Sequence, residues 1–454
     1  MRHATLLTPI ALSLAASLTA APAAAQCVLD AGATPPTLTC AGTETAAQDE
    51  DIANLETTVD SGAEIDVSDD DALRLRGENN SVTVAGPDGG DPAGVIRATG
   101  GGDEAVQADE SGFSLTNGGA IVSLEDKGVQ ADDENGTTVV NTGVIGAADE
   151  AVEARDGFMM LNDGVVVAGE DAVQFGDGAL TNNGEIIGGA DEATLEAATG
   201  EDFGPAAADG DGVDIDSGSI INNGVIRSDS PDDAAGIDVD EVTVDDDPIT
   251  ETLTIVNNPG AEIRGTLGVL VEPAGPTAGT LNETTQIIRN AGLIQGRGGV
   301  IMSLAAGDDE VWLLDGSTLL GDTETMGAGP GLVDLGPRDD LLGVSAFLGD
   351  TTGDALFDGG DGFDSFWLDL PLASTDIMIS AAAAGLRLEF GAGGDETALT
   401  LRNFEGLRAA DGRFLVAADG GLAPVPLPAA LPMLAAGLGE IGRASCRERV
   451  FPVV

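Results

Sequence analysis

Asn, any residue, Gly and then a β-type apolar pair recur down most of this chain, and that phrase constrains the fold more than any other feature. It reads Asn117-Gly-Gly-Ala-Ile, Asn141-Thr-Gly-Val-Ile, Asn162-Asp-Gly-Val-Val and Asn182-Asn-Gly-Glu-Ile. It returns as Asn222-Asn-Gly-Val-Ile, Asn257-Asn-Pro-Gly-Ala-Glu-Ile and Asn290-Ala-Gly-Leu-Ile. The steps are 24, 21, 20, 40, 35 and 33 residues, so a unit of about 20–24 residues repeats with insertions. A period in that range denotes stacked repeats, each unable to bury its apolar side alone.

Three segments fill each unit. One runs Gly102-Asp-Glu-Ala-Val-Gln-Ala, Ser111-Gly-Phe-Ser-Leu-Thr-Asn, Gly119-Ala-Ile-Val-Ser; a later one runs Asp149-Glu-Ala-Val-Glu-Ala, Gly157-Phe-Met-Met-Leu-Asn, Gly164-Val-Val-Val. Each has alternating apolar positions bounded by Gly, Asp or Asn, and runs so short are strands rather than helices. Three strands per coil predict an all-β chain: a right-handed parallel β-helix with acidic loop insertions. Val106, Leu115 and Ile121 are expected to face inward, with equivalents stacked about 4.8 Å above and below. The asparagines are expected to form a ladder at one corner, with the glycine two residues on supplying the turn. Residues 60–305 hold the regular repeats, and 60–320 leaves room for ten or eleven coils, a rod of about 50 Å. Insertions near 197–212, 228–250 and 272–284 are expected to project as loops.

Acidity is the second constraint. There are 79 Asp and Glu against 18 Lys and Arg, a formal charge of −61. Such a field repels nucleic acid and anionic lipid and attracts cations. Apolar content of 42% still allows a buried core, built from aliphatics because aromatics are 3% and Tyr is absent. The single histidine, His3, lies in the leader described next, and the chain has one lysine, Lys127. Histidine-based triads and His-ligated zinc are therefore excluded, and carboxylate chemistry is what remains.

Residues 1–25 read as a secretory signal: a basic start at Arg2, an apolar stretch from Leu6, and Ala23-Ala24-Ala25 before a cut between Ala25 and Gln26. Cys27 and Cys40 then stand 13 apart in an exported chain, which predicts a disulfide stapling an N-terminal cap over 26–59. Closing that loop is worth roughly 3 kcal/mol by chain-entropy reasoning. At the other end, Val425-Pro426-Leu427-Pro428-Ala429 opens a proline-rich stretch, 421–439. This string resembles the VPLPA-CTERM sorting signal, a relative of PEP-CTERM. The resemblance implies a membrane helix, an arginine cluster and processing by an exosortase-type enzyme, with membrane contact only through this signal. The apolar run Leu427–Gly439 is shorter than the ~20 residues that span a bilayer. Residues 440–454 look like translated sequencing-adapter read-through, so they read as a non-native tail in which Cys446 carries no functional weight.

The phrasing changes over 306–420. Gly359-Gly-Asp361-Gly-Phe-Asp364-Ser-Phe-Trp367 fits G-G-x-G-x-D-x-U-x, and Gly349 to Phe357, with Asp354, is a degraded copy. The pattern resembles calcium-binding RTX repeats, which implies calcium at Asp354, Gly359, Asp361 and Asp364. With one good and one poor copy, calcium and plain turn chemistry both stand as readings. Residues 399–416 resemble the closing coils of autotransporter passenger domains, a similarity the Asn-x-Gly rungs share. The expected function is a structural, adhesive or biofilm role at the cell surface, outer envelope or extracellular matrix. Extracellular polysaccharide or another cell surface is the expected partner, with calcium the one cofactor that arises. The alternative is a polysaccharide-degrading β-helix enzyme using paired carboxylates. Asp211, Asp214 and Asp216 form one acidic group, but acids are so plentiful that no pair stands out.

Overall fold

Period-2 burial and parallel register, coil after coil, characterise the computed structural model of the protein. It describes residues 26–424 apart from 69, 132–135, 205–208, 232–233, 240–251, 272–283, 322–330, 345–354, 370–376, 383–384, 391–396, 411 and 417–421. The chain divides into two units, Met1–Ile215 with Gly224–Ala234, and Asp216–Asn223 with Ala235–Val454. Both are parallel β-solenoid in character.

The first unit opens with an antiparallel hairpin, Gln26–Asp30 against Thr37–Ala41, in which Cys27 stands opposite Cys40 and is disulfide-bonded to it. The far edge of Thr37–Ala41 pairs in parallel with Glu56–Val59, so stacking begins there. Three strands per coil follow. Val106–Ala108, Ser114–Asn117 and Ala120–Ser123 lie in register with Val129–Ala131, Thr138–Asn141 and Val144–Ala147 of the next coil. Inward side chains pile in lines. One is Leu73, Val106, Val129, Val152 and Val173. Another is Ile65, Ile96, Ile121, Ile145, Val166, Ile186 and Ile226. All of these are buried, as is Leu115. Full burial of an aliphatic side chain stabilises by about 1.5–3 kcal/mol, and a single coil has no other partner for it. In one coil the turn between first and second strands vanishes, and Val173–Asn182 runs straight through both positions.

The insertion near 197–212 does not simply project. A helix, Glu192–Thr199, starts on Asp191, whose side chain accepts from Thr194 N–H, and ends on Gly200 with φ 80°. It folds back over the outward face of the third-strand stack, where Leu195 and Phe203 bury against Val122, Val167, Ile187 and Ala190. Arg97 ties the return with an ion pair to Glu201 at 2.8 Å. The third strands here are therefore covered on both faces, which is why Ala-Ile-Val-Ser, Val-Val-Val-Ala and Glu-Ile-Ile-Gly lack alternation.

In the second unit one stack runs Gly218–Asn222, Thr252–Asn257, Thr285–Asn290, Glu310–Leu313, Leu341–Val344, Ser365–Leu368 and Gly406–Ala409. A second contains Ala235–Val239, Leu267–Val271, Val300–Ser303, Leu332–Asp334, Ala355–Asp358 and Thr397–Arg402. Some of the insertion near 228–250 is thus a buried strand, Ala235–Val239, rather than loop. Residues 240–251 and 272–283 lie outside the described residues. A third stack is Glu262–Gly265, Leu293–Gly296 and Thr318–Gly321. Antiparallel strands close the end: Gly385–Phe390 pairs with Thr397–Arg402, and Gly412–Val416 with Gly406–Ala409. Among the described residues no helix is long and apolar enough to cross a membrane.

Candidate functional site: two internal ladders

In the first unit Asn117 Nδ2 donates to Asn141 Oδ1 at 2.9 Å, Asn141 to Asn162 at 2.8 Å and Asn162 to Asn182 at 2.9 Å. Each Oδ1 also accepts from the glycine N–H two residues on, at 3.0 Å for Gly119 and 3.2 Å for Gly143. Each amide reaches a carbonyl of the next coil besides, Val144 and Val165 for the first two. The amides are fully buried with both ends engaged, so this ladder is structural. The second unit has its own: Asn222 to Asn257 at 3.0 Å, Asn257 to Asn290 at 2.8 Å, and Asn290 to Ser317 Oγ at 2.7 Å. Ser317 carries no Asn-x-Gly signature.

The glycines work differently from expectation. Gly119, Gly143, Gly164 and Gly184 are not among the positive-φ residues. A Cβ on Gly143 would stand 2.1 Å from Gly119 O, and one on Gly184 would stand 2.0 Å from Gly164 O. The corner needs glycine because successive backbones touch there, not because the turn is left-handed.

A second ladder in the second unit is made of acids. Asp309, Asp340, Asp364 and Glu405 each immediately precede a strand of the first stack, at equivalent places in successive coils, with Gln286 below. Gln286 N–H donates to Asp309 Oδ1 at 2.8 Å, and Asp309 N–H to Asp340 Oδ1 at 2.8 Å. Asp340 N–H donates to Asp364 Oδ1 at 2.9 Å, and Asp364 N–H to Glu405 Oε2 at 2.9 Å. Each carboxyl thus caps a backbone donor one coil back. The three aspartates are 1%, 2% and 0% exposed. Their Oδ2 atoms, and Gln286 Oε1, are buried without a hydrogen-bond partner among the described residues.

Burial therefore pushes Asp309 up to about 8, partly opposed by the Gln286 N–H. Asp340 rises to about 9, again through burial first, with Asp309 and Asp364 as neighbouring charges. Asp364 rises to about 7, with Glu405 adding to the burial effect. Stacked carboxyls deprived of water cannot all ionise unless a proton or a hard cation neutralises them.

The residues expected to hold calcium meet this column at one point. Asp364 belongs to it, and Gly359 packs against it so closely that a Cβ would lie 2.5 Å from Asp364 Oδ2. Asp361 is exposed, and Asp354 lies outside the described residues. The oxygens of Asp309, Asp340 and Asp364 without a hydrogen-bond partner among the described residues suit a hard, oxygen-seeking ion, and they are buried where Asp361 is exposed. A separate acidic group on the surface is Glu192 and Glu196 of the helix with Asp202 after it. Asp214 accepts from Gln174 at 2.8 Å, and Lys127 pairs with Glu153 and, at 3.6 Å, with Glu150. Gln26 is the first described residue, so the expected cleavage point at Ala25 and the sorting string Val425 to Ala429 fall outside the described residues. Set against known protein families, curated proteins and solved structures, the chain matches none.

Proposed function

We propose that this protein is exported and serves as a structural or adhesive solenoid at the cell surface or in the extracellular matrix. The observation that carries the reading is the inward closure of the coils. Aliphatic side chains, asparagine amides and carboxyls occupy the interior, which leaves the outward faces and insertions as contact surface. The leader-like residues 1–25 and the VPLPA-like string at Val425 support delivery and sorting by an exosortase-type enzyme. The acidity supports a life in cation-rich surroundings, with calcium held by the acid column as a stabilising ion.

Protease shaving of intact producing cells tests the reading, followed by immunodetection of residues 60–305. Loss of the signal is the expected result. A signal fully protected until the cells are lysed contradicts surface display, and new reducing ends from a polysaccharide panel would replace the structural role with an enzymatic one.

A further inference from the structure

The chain has two tryptophans and no tyrosine, and both tryptophans fall on one outward line of the second unit. The register aligns Arg289 with Trp312, Trp312 with Gly343, Gly343 with Trp367 and Trp367 with Arg408. Val311, Leu313, Phe366 and Leu368 point into the core, so the intervening Trp312 and Trp367 face outward, each partly exposed. A Cβ on Gly343 would lie 2.2 Å from Trp312 Cε3, so the indole lies across that glycine. The rings approach edge to face with centroids 5.4 Å apart. Trp312 Nε1 donates to Glu310 at 3.2 Å, and the Arg408 guanidinium sits 3.9 Å from the Trp367 ring centre. Partly exposed Ile287 and Leu341 flank the line.

The arginines at its two ends stand apart from the chain's habit. Arg74, Arg76, Arg97, Arg227, Arg264, Arg387 and Arg402 are all ion-paired. Arg289 and Arg408, like Arg155, have no carboxylate partner among the described residues, although acids outnumber bases 79 to 18. Two guanidinium groups without a carboxylate partner among the described residues thus bracket the two indoles, separated by four coil steps, or roughly 19 Å at about 4.8 Å each.

We infer that this face binds an acidic polysaccharide, a glycan whose carboxylates are spaced by uncharged ring surface. The partly exposed indoles offer apolar area to the C–H faces of sugar rings, while a guanidinium matches a carboxylate in a bidentate fork. The surrounding negative field opposes polyanions except where Arg289 and Arg408 can take a carboxylate, so nucleic acid, without ring faces to lay on the indoles in a duplex, meets repulsion at its phosphates. The inference rests on the adhesive reading for its biological use only. Binding by purified protein and display on cells fail separately.

Because every tryptophan of the chain lies on this face, intrinsic fluorescence reports the site without any mutation. Titration of the full chain with polygalacturonate is expected to give a saturable change in emission. Fully methyl-esterified polygalacturonate, its uncharged counterpart, is expected to bind at least tenfold more weakly. Arg289→Gln with Arg408→Gln should abolish that preference, and Trp312→Phe with Trp367→Phe, followed by affinity electrophoresis, should retain more binding than the double Ala variant. An unchanged wild-type spectrum overturns the proposal. Equal response to the esterified polymer removes the acidic specificity, and an equal response to poly-glutamate makes the face an acidic-peptide site instead.

Discussion

Asp340 N–H donates to Asp364 Oδ1 one coil further on, at 2.9 Å, while Asp364 Oδ2 has no hydrogen-bond partner among the described residues. One oxygen of each carboxyl is thus committed to holding coils in register, and the other is left to whatever neutralises it.

Stability of the second unit should fall as pH rises. Burial lifts Asp309, Asp340 and Asp364 to about 8, 9 and 7, against roughly 3.9 for an unfolded aspartate. The folded state then holds more protons than the unfolded one. Stability is complete below the unfolded value and is lost progressively as pH climbs through 4 to about 9. Thermal melts should give a lower Tm at pH 9 than at pH 5. Asp340→Asn keeps the capping oxygen and removes the titration, so it should flatten the profile; an unchanged profile contradicts the account.

Calcium should substitute for protons. At pH 8, millimolar calcium is expected to raise the Tm of the full chain, and chelator to reverse it. The gain should shrink in Asp364→Asn and persist in Asp361→Asn, because Asp361 is exposed. A shift governed by Asp361 instead would move the ion out to the turn.

Asn141→Ala should cost about 3 kcal/mol, since it removes the acceptor of one Asn117 N–H and the donor to Asn162 Oδ1, both buried. Asn141→Asp should also destabilise at neutral pH, because its carboxylate would face Asn162 Oδ1 where an amide now donates. Urea denaturation measures both. A loss below about 0.5 kcal/mol for the Ala variant would mean that the ladder is incidental.

Gly143→Ala and Gly136→Ala should behave differently. The first puts a methyl 2.1 Å from Gly119 O and must push neighbouring coils apart, while the second has φ 87° and open space. We expect a loss of about 1–3 kcal/mol or more for Gly143 from overpacking and about 1 kcal/mol for Gly136 from backbone strain. The reverse order would restore a turn-conformation explanation for the repeat glycine.

Legibility followed regularity. Val106, Leu115 and Ile121, the asparagine rungs and the Cys27–Cys40 pairing could be read because each rests on short spacings or on a repeated phrase. The acid column could not, since its members are 31, 24 and 41 residues apart and insertions of different length lie between them. Nothing marks Asp340 until register places it on Asp309. The helix Glu192–Thr199 did leave signals, an Asp191 cap and Gly200 stop; the third strands, read as alternating, are instead apolar at consecutive positions, as in Val165-Val-Val-Ala, because both faces are covered. Nothing in the sequence pairs Trp312 with Trp367, because only the stacked coils bring residues 55 apart onto one line.

Coils far apart in sequence sit a fixed number of steps apart in space. Thr83, Thr116, Val140, Leu161 and Thr181 are successive register partners on one outward line. Spin labels at Thr83 and Thr181, read by double electron–electron resonance, should give a narrow distribution near four steps, roughly 19 Å plus the label arms. A broad distribution, or one centred beyond about 35 Å, is what a chain without stacked coils would give, since its spacing is not held to the step of adjacent strands.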